Sequence, residues 1–255
     1  MNCRTLSPIW ILFLVSLFSF SRIGCTYFPE EPSPIVGNVS VIAVLSTELR
    51  TQKIYIYSVT SLGDERNPDE LFVKDAIVRV NGVSFLHTIE AKPFQKNSYA
   101  LEFPGFVHPE STYSLYVQYS DETILGTTRV PGQFSITNLP KISEYKLKPT
   151  NNTIVIQWSA SRNARGYLLN EKAPPIESPP GSGTFIPGGF SSWITRDTLA
   201  AIVVGRVGNY TIKVGAFDEH YERHFLRGFQ MAGLQNAYGV FSSMVVDSLV
   251  IRVRE

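Results

Sequence analysis

The sequence predicts an all-β protein: two β-sandwiches in tandem behind a short apolar leader. Three observations predict it. Apolar and polar residues alternate in short runs through most of the 255 residues, the period of a half-buried strand. Turn residues punctuate those runs at close intervals, most plainly at Asn81-Gly82. Apolar residues make up 44% of the chain, enough to build packed cores, and the two cysteines, Cys3 and Cys25, leave no disulfide framework to replace them.

The first element is the leader. One positive side chain, Arg4, precedes an apolar core from Ile9 to Phe20. That core is about 12 residues, whereas a helical span of a bilayer takes about 20, so it reads as an export signal over residues 1–24. It ends Ile23-Gly24-Cys25, which resembles the lipobox of bacterial lipoproteins, with Arg22 where that pattern prefers an apolar residue. The resemblance implies a thioether-linked lipid on Cys25. The alternative is ordinary cleavage that leaves Cys25 as a free thiol. Residues 25–37 then form an extended tether, because the prolines of TYFPEEPSP prevent a helix. Glu30 and Glu31 either are solvated linker charges or match the acidic export signals of surface-displayed Bacteroidota lipoproteins, which they resemble.

Residues 38–132 read as the first sandwich, with seven strands. VSVIAVL (Val39 to Leu45) and KIYIYSVT (Lys53 to Thr60) open it. DAIVRV (Asp75 to Val80), Asn81-Gly82 and VSFLHTIE form a hairpin, since both turn residues tolerate positive φ. YALEF, YSLYVQY and TILGTTRV, beginning at Tyr99, Tyr113 and Thr123, complete it. SLGDERNPDE (Ser61 to Glu70) reads as a polar loop.

Residues 133–255 read as the second. TIVIQWSASRNARGYLLN (Thr153 to Asn170) and GNYTIKVGAFD (Gly208 to Asp218) resemble strands B, C and F of a fibronectin type III domain. The matching residues are Trp158, Gly166-Tyr167 and Tyr210, and the resemblance implies a buried corner tyrosine at Tyr210 whose hydroxyl bonds back to the chain. Lys172 to Phe190 is a Pro/Gly-rich irregular stretch. The segment from Glu219 to Ser243 is an elaboration that a bare domain of this kind lacks. HYERHFLRGFQ fits a short helix or a twisted strand, and NAYGVFSS (Asn236 to Ser243) reads as a loop.

The order of these features resembles an uncharacterised family of Bacteroidota-type lipoproteins. The matching residues are Asp75-Ala76, Tyr113, Thr128 to Pro131, Trp158, Tyr210, Asp218, Tyr221 and Gly239 to Ser243, with Ser242 where the family has Gly. The resemblance implies a cell-envelope accessory role, and members of the family are often encoded beside TonB-dependent outer-membrane receptors; the lipid anchor is expected in the outer membrane, with the inner membrane as the alternative. It implies no catalytic residues.

Charge excludes some functions. The net charge is +1, and loss of Arg4 and Arg22 with the leader brings it to −1, so the overall charge favours neither nucleic acid nor an anionic membrane surface. His220 and His224, four apart, would share a helix face and are weak candidates for a metal site, with Asp218 or Glu222 as third ligand. The spacing is not that of a zinc protease helix, and a pair of surface histidines is the simpler reading. Asp64, Glu65, Asp69 and Glu70 cluster without calcium-loop spacing. Gly181-Ser182-Gly183 is no serine elbow, and no phosphate-binding glycine motif occurs, so no cofactor is expected. Phe185, Phe190, Trp193, Tyr238 and Phe241 lie in or near irregular segments. They are the candidates for stacking on a glycan or meeting a protein, unless each plugs the end of a core. The expectation is a non-enzymatic binding or accessory module, with a metal-dependent hydrolase at His220/His224 and a structural spacer as alternatives.

Overall fold

In the computed structural model, residues 38–59, 68–90, 96–175 and 190–255 are described. The leader, Cys25, the tether, Asp64, Glu65, Gly181-Ser182-Gly183 and Phe185 lie outside them. Alternation gives the seven expected strands of the first half: β1 (Val39–Ser46), β2 (Thr51–Ser58), β3 (Ile77–Val80), β4 (Val83–Ile89), β5 (Asn97–Glu102), β6 (Thr112–Tyr119) and β7 (Glu122–Arg129). In β2, Ile54 and Ile56 are buried while Tyr55 and Tyr57 are half-buried on the other face. Asn81 (φ 48°) and Gly82 (φ 78°) close the β3–β4 hairpin in the left-handed backbone their types permit.

β4 serves two sheets. Its first residues pair with β3 and its last with β5, so the chain turns a corner between the sheet β1-β2-β5-β4 and the sheet β4-β3-β6-β7. Val41, Ile54, Val80, Leu115, Val117 and Ile124 fill the space between. Tyr113 pins the entry to β6: its hydroxyl donates to the Phe106 carbonyl at 2.7 Å and accepts from the His108 N–H at 2.9 Å.

The second half is a fibronectin type III-like sandwich. Its strands are β8 (Ile142–Lys146), β9 (Thr153–Gln157), β10 (Gly166–Lys172), β11 (Phe190–Thr195), β12 (Leu199–Val203) and β13 (Gly208–Phe217). The short β14 (Met231–Ala232) and β15 (Leu234–Gln235) lead into the long β16 (Tyr238–Arg254). β8, β16, β13, β10 and β11 form one sheet, and β9 with β12 the other. Trp158 and Tyr167 are buried with ring centroids 5.4 Å apart. The Tyr210 hydroxyl accepts from the N–H groups of Gly205 (3.2 Å) and Arg206 (3.1 Å), the corner that the resemblance implies.

Here the structure corrects the sequence reading. Tyr238 to Ser243 is not a loop but the start of β16. Residues 238–244 pair in parallel with β1, and residues 244–253 pair antiparallel with β13. One strand therefore runs through both halves, and Val36–Glu255 forms one compact unit. The crossing demands glycine at one position. Gly239 has φ 99°, and a Cβ there would lie 2.1 Å from the Val41 carbonyl oxygen. Ser242, by contrast, sits in the paired part of β16, and its backbone is not among those with positive φ.

Candidate functional site

The elaboration between β13 and β16 gathers the ionisable groups. Asp218 ends the β13 run and caps the helical turn Glu219–Tyr221, its carboxylate accepting the Tyr221 N–H at 2.9 Å. An Asp at this position satisfies a donor that a helix start otherwise leaves free. Its other oxygen accepts the Thr128 hydroxyl, the Ser243 N–H (2.9 Å) and the Ser243 hydroxyl (3.0 Å). Thr128, Asp218 and Ser243 are all buried, and they tie β7, the elaboration and β16 together. Burial pushes the Asp218 carboxyl above its ordinary value; the hydrogen bonds from Thr128, Tyr221 and Ser243 and the neighbouring His220 act in the opposite direction. Thr128, Asp218, Tyr221 and Ser243, residues named in the sequence resemblance, meet here.

The turn Glu222–Leu226 is π-helical, a wider turn that is uncommon and often found at functional positions. Glu222 is buried between two guanidiniums, Arg196 at 2.7 Å and Arg227 at 2.9 Å. Burial raises its pKa, but hydrogen bonds and charge from Arg227 and Arg196 outweigh that and hold it below the ordinary value. Gly228 (φ 71°) ends the turn.

The two histidines do not act together. His220 packs against Gly233, where a Cβ would come 2.8 Å from the ring, and its Nδ1 is buried without a hydrogen-bond partner. His224 is near the surface, its Nδ1 2.9 Å from the Phe229 carbonyl oxygen. Among the described residues no group of three or more His, Cys, Asp or Glu is arranged to hold a metal ion. The metal reading of the pair fails on geometry, because a two-histidine site needs both rings and a carboxylate to converge.

The aromatic candidates are scattered. Phe190 opens β11. Trp193 is half-buried on β11 against the core, in register with Leu169. Tyr238 is half-buried at the start of β16. Phe241, expected in an exposed loop, is fully buried and plugs the core, because its segment is strand.

The exposed apolar side chains of the elaboration are others: Phe225 (47% exposed), Leu226 (44%) and Phe229 (45%). They are rooted in the fold. Phe217 is buried and stacks on Tyr221 at 4.9 Å, and Tyr221 meets Phe225 at 4.6 Å. The Arg223 guanidinium lies over the Phe229 ring at 4.9 Å. A cleft of about 300 Å³ at the tip is lined by Arg165, Glu219, Glu222, Arg223, Arg227 and Phe229. A neighbouring cleft of about 370 Å³ adds Arg129 and Asn163. Sequence reasoning took this stretch for its histidines. The signal it passed over is HFLRGF, three large apolar residues and an arginine in a run without strand alternation.

No family model matches the chain, and no curated protein matches it. Solved structures do. The fibronectin(III)-like modules of Clostridium thermocellum CbhA align over 85% of this chain and 94% of theirs, at 14% identity and a TM-score of 0.24. The BSP domain of a biofilm-associated protein aligns over 87% of this chain and 30% of its own, at 14% identity and a TM-score of 0.23. An I-band fragment of titin aligns over 86% and 64%, at 11% identity and a TM-score of 0.20.

Proposed function

We propose that this chain is a non-enzymatic cell-envelope protein, lipid-anchored through Cys25, that serves as an accessory or binding module for a protein or glycan. A TonB-dependent outer-membrane receptor is the partner that the family resemblance implies. The observation that carries this reading is how the buried carboxylates are used. Asp218 is taken up by four hydrogen bonds and Glu222 by two ion pairs. Neither is left to handle a substrate proton, and the segment they hold ends in exposed apolar side chains. That is what a contact surface requires, and aromatic and arginine side chains are enriched in such surfaces.

Among the aromatic candidates, Trp193 is the one put to the test for partner contact. It stands on β11, which pairs with β10 alone among the described strands, next to exposed Ile194. A photo-crosslinking amino acid at position 193, introduced in cells, tests this. A discrete crosslinked species, absent when the same group replaces exposed Val203, is expected. Equal or no crosslinking from both positions contradicts a partner at β11.

A further inference from the structure

The exposed tip has a place in the fold that says what it faces. β14, β16 and β1 run parallel and side by side, with Met231, Gly239 and Val41 level with one another. The Gln230 carbonyl accepts the Gly239 N–H at 2.7 Å, so Phe229 stands just before that level. Asn38 also stands just before it, on the far side of β16. Two strand spacings of about 4.8 Å separate β14 from β1, so the tip and the entry of the chain into β1 lie on the order of 10 Å apart. The other end of the elaboration is fixed one strand length away, where the Asp218 N–H donates to the Ser243 carbonyl, level with Leu45. The helical segment thus runs back along β16 and brings Phe229 to the chain entry, while Phe225 packs on Tyr221 nearer the other end.

Residues 26–37 separate Cys25 from that entry, a reach of at most roughly 40 Å when fully extended. An acyl anchor on Cys25 would therefore keep the chain entry, with Phe229 beside it, within about 40 Å of the bilayer. The chemistry of the tip fits that surface. Two phenylalanines and a leucine are half exposed, and around them stand Arg165, Arg196, Arg223 and Arg227 against Glu219 and Glu222. Apolar side chains with a surplus of guanidiniums are the composition that settles at a head-group boundary and is drawn to anionic lipid.

We propose that the Phe225–Phe229 tip seats in the head-group layer of an anionic bilayer, as a second membrane contact beside the acyl anchor. The orientation rests on the anchor reading above; the affinity for lipid does not, and it is what the test measures. Residues 36–255, the compact unit, lack both Cys25 and the apolar leader. This protein is sedimented with vesicles of phosphatidylethanolamine and phosphatidylglycerol, and with pure phosphatidylcholine. Binding to the first, weakened by salt, is expected. The triple variant Phe225→Ser, Leu226→Ser, Phe229→Ser lowers the partition coefficient about tenfold or more, since each side chain loses apolar burial in the boundary. Arg223→Gln lowers it several-fold on anionic vesicles only. Val155→Ser with Val203→Ser, exposed apolar residues of the β9–β12 sheet, leaves it unchanged. Circular dichroism confirms that each variant is folded, and Arg223→Gln alone decides the matter if the triple variant is not. No binding by the parent protein overturns the proposal, and so does equal binding by the tip variants. Either result leaves acylation of Cys25 to be judged separately.

Discussion

Replacing Asp218 by alanine probes the junction most sharply. The carboxylate accepts two backbone N–H groups, of Tyr221 and Ser243, and two hydroxyls, of Thr128 and Ser243. After removal the hydroxyls satisfy each other, since the Thr128 and Ser243 oxygens are 2.9 Å apart. The two N–H groups cannot turn away. Each buried donor left unpaired costs about 1–3 kcal/mol, and relief of the buried charge offsets part of the sum. A net loss of about 3 kcal/mol follows, or a shift of about 1 M in the urea midpoint of a domain this size. Equilibrium urea unfolding at neutral pH reads it directly. A shift under about 0.2 M refutes the claim that this carboxylate ties β7, the elaboration and β16 together. The pH dependence adds a signed check. The folded pKa is raised, so the folded state binds the proton more tightly, and Asp218 disfavours folding progressively as pH rises from about 3.9 through the folded value. The stability of wild type relative to Asp218→Asn therefore falls over that window.

Other expectations follow from the same geometry. Glu222 has a lowered folded pKa, so its contribution is present above about 4.3 and is lost as pH falls through the folded value; Glu222→Gln removes that acid sensitivity, read by unfolding midpoints across the acid range. Gly239→Ala places a Cβ against the Val41 carbonyl and breaks the parallel pairing of β1 with β16, so the variant loses cooperative unfolding or accumulates insoluble. Tyr113→Phe and Tyr210→Phe each remove a corner hydroxyl and cost about 1–3 kcal/mol. Because β16 runs through both halves, both variants shift one common thermal transition; two separate transitions, each moved by one variant, contradict the single unit.

Much of the fold was legible because its signals are local. Asn81-Gly82 marks a hairpin by the φ values those residues accept, and alternation marks each short strand. Trp158, Tyr167 and Tyr210 carry spacing specific enough to place three strands. The beginning of β16 was not legible for a physical reason. Its hydrogen-bond partner, β1, lies some two hundred residues away in the sequence, and Asn236 with Gly239 reads locally as a loop. That glycine is demanded by the approach of Val41, which nothing in the local sequence announces. Misreading the segment also misplaced Phe241 at the surface.

The site was legible in content but not in arrangement. Asp218, His220, Glu222 and His224 stood out as ionisable groups, yet composition does not say which of them will be spent on helix capping and ion pairs. Burial decides that, and burial here is set by Thr128 and Ser243 on distant strands. Phe225, Leu226 and Phe229 lie in a run that fits a short helix or a twisted strand, so its periodicity does not say which side chains face out. Phe225 and Leu226 end the π-helical turn and Phe229 follows it, all three exposed, while Tyr221 packs against Phe217.

The acyl chain proposed on Cys25 is what would hold this molecule at a membrane. Mass spectrometry of the native N-terminal peptide tests it most directly. A mature chain that begins at Cys25 and carries the added mass of a thioether-linked diacylglycerol is expected. A chain that begins elsewhere, or a free thiol at Cys25, contradicts it.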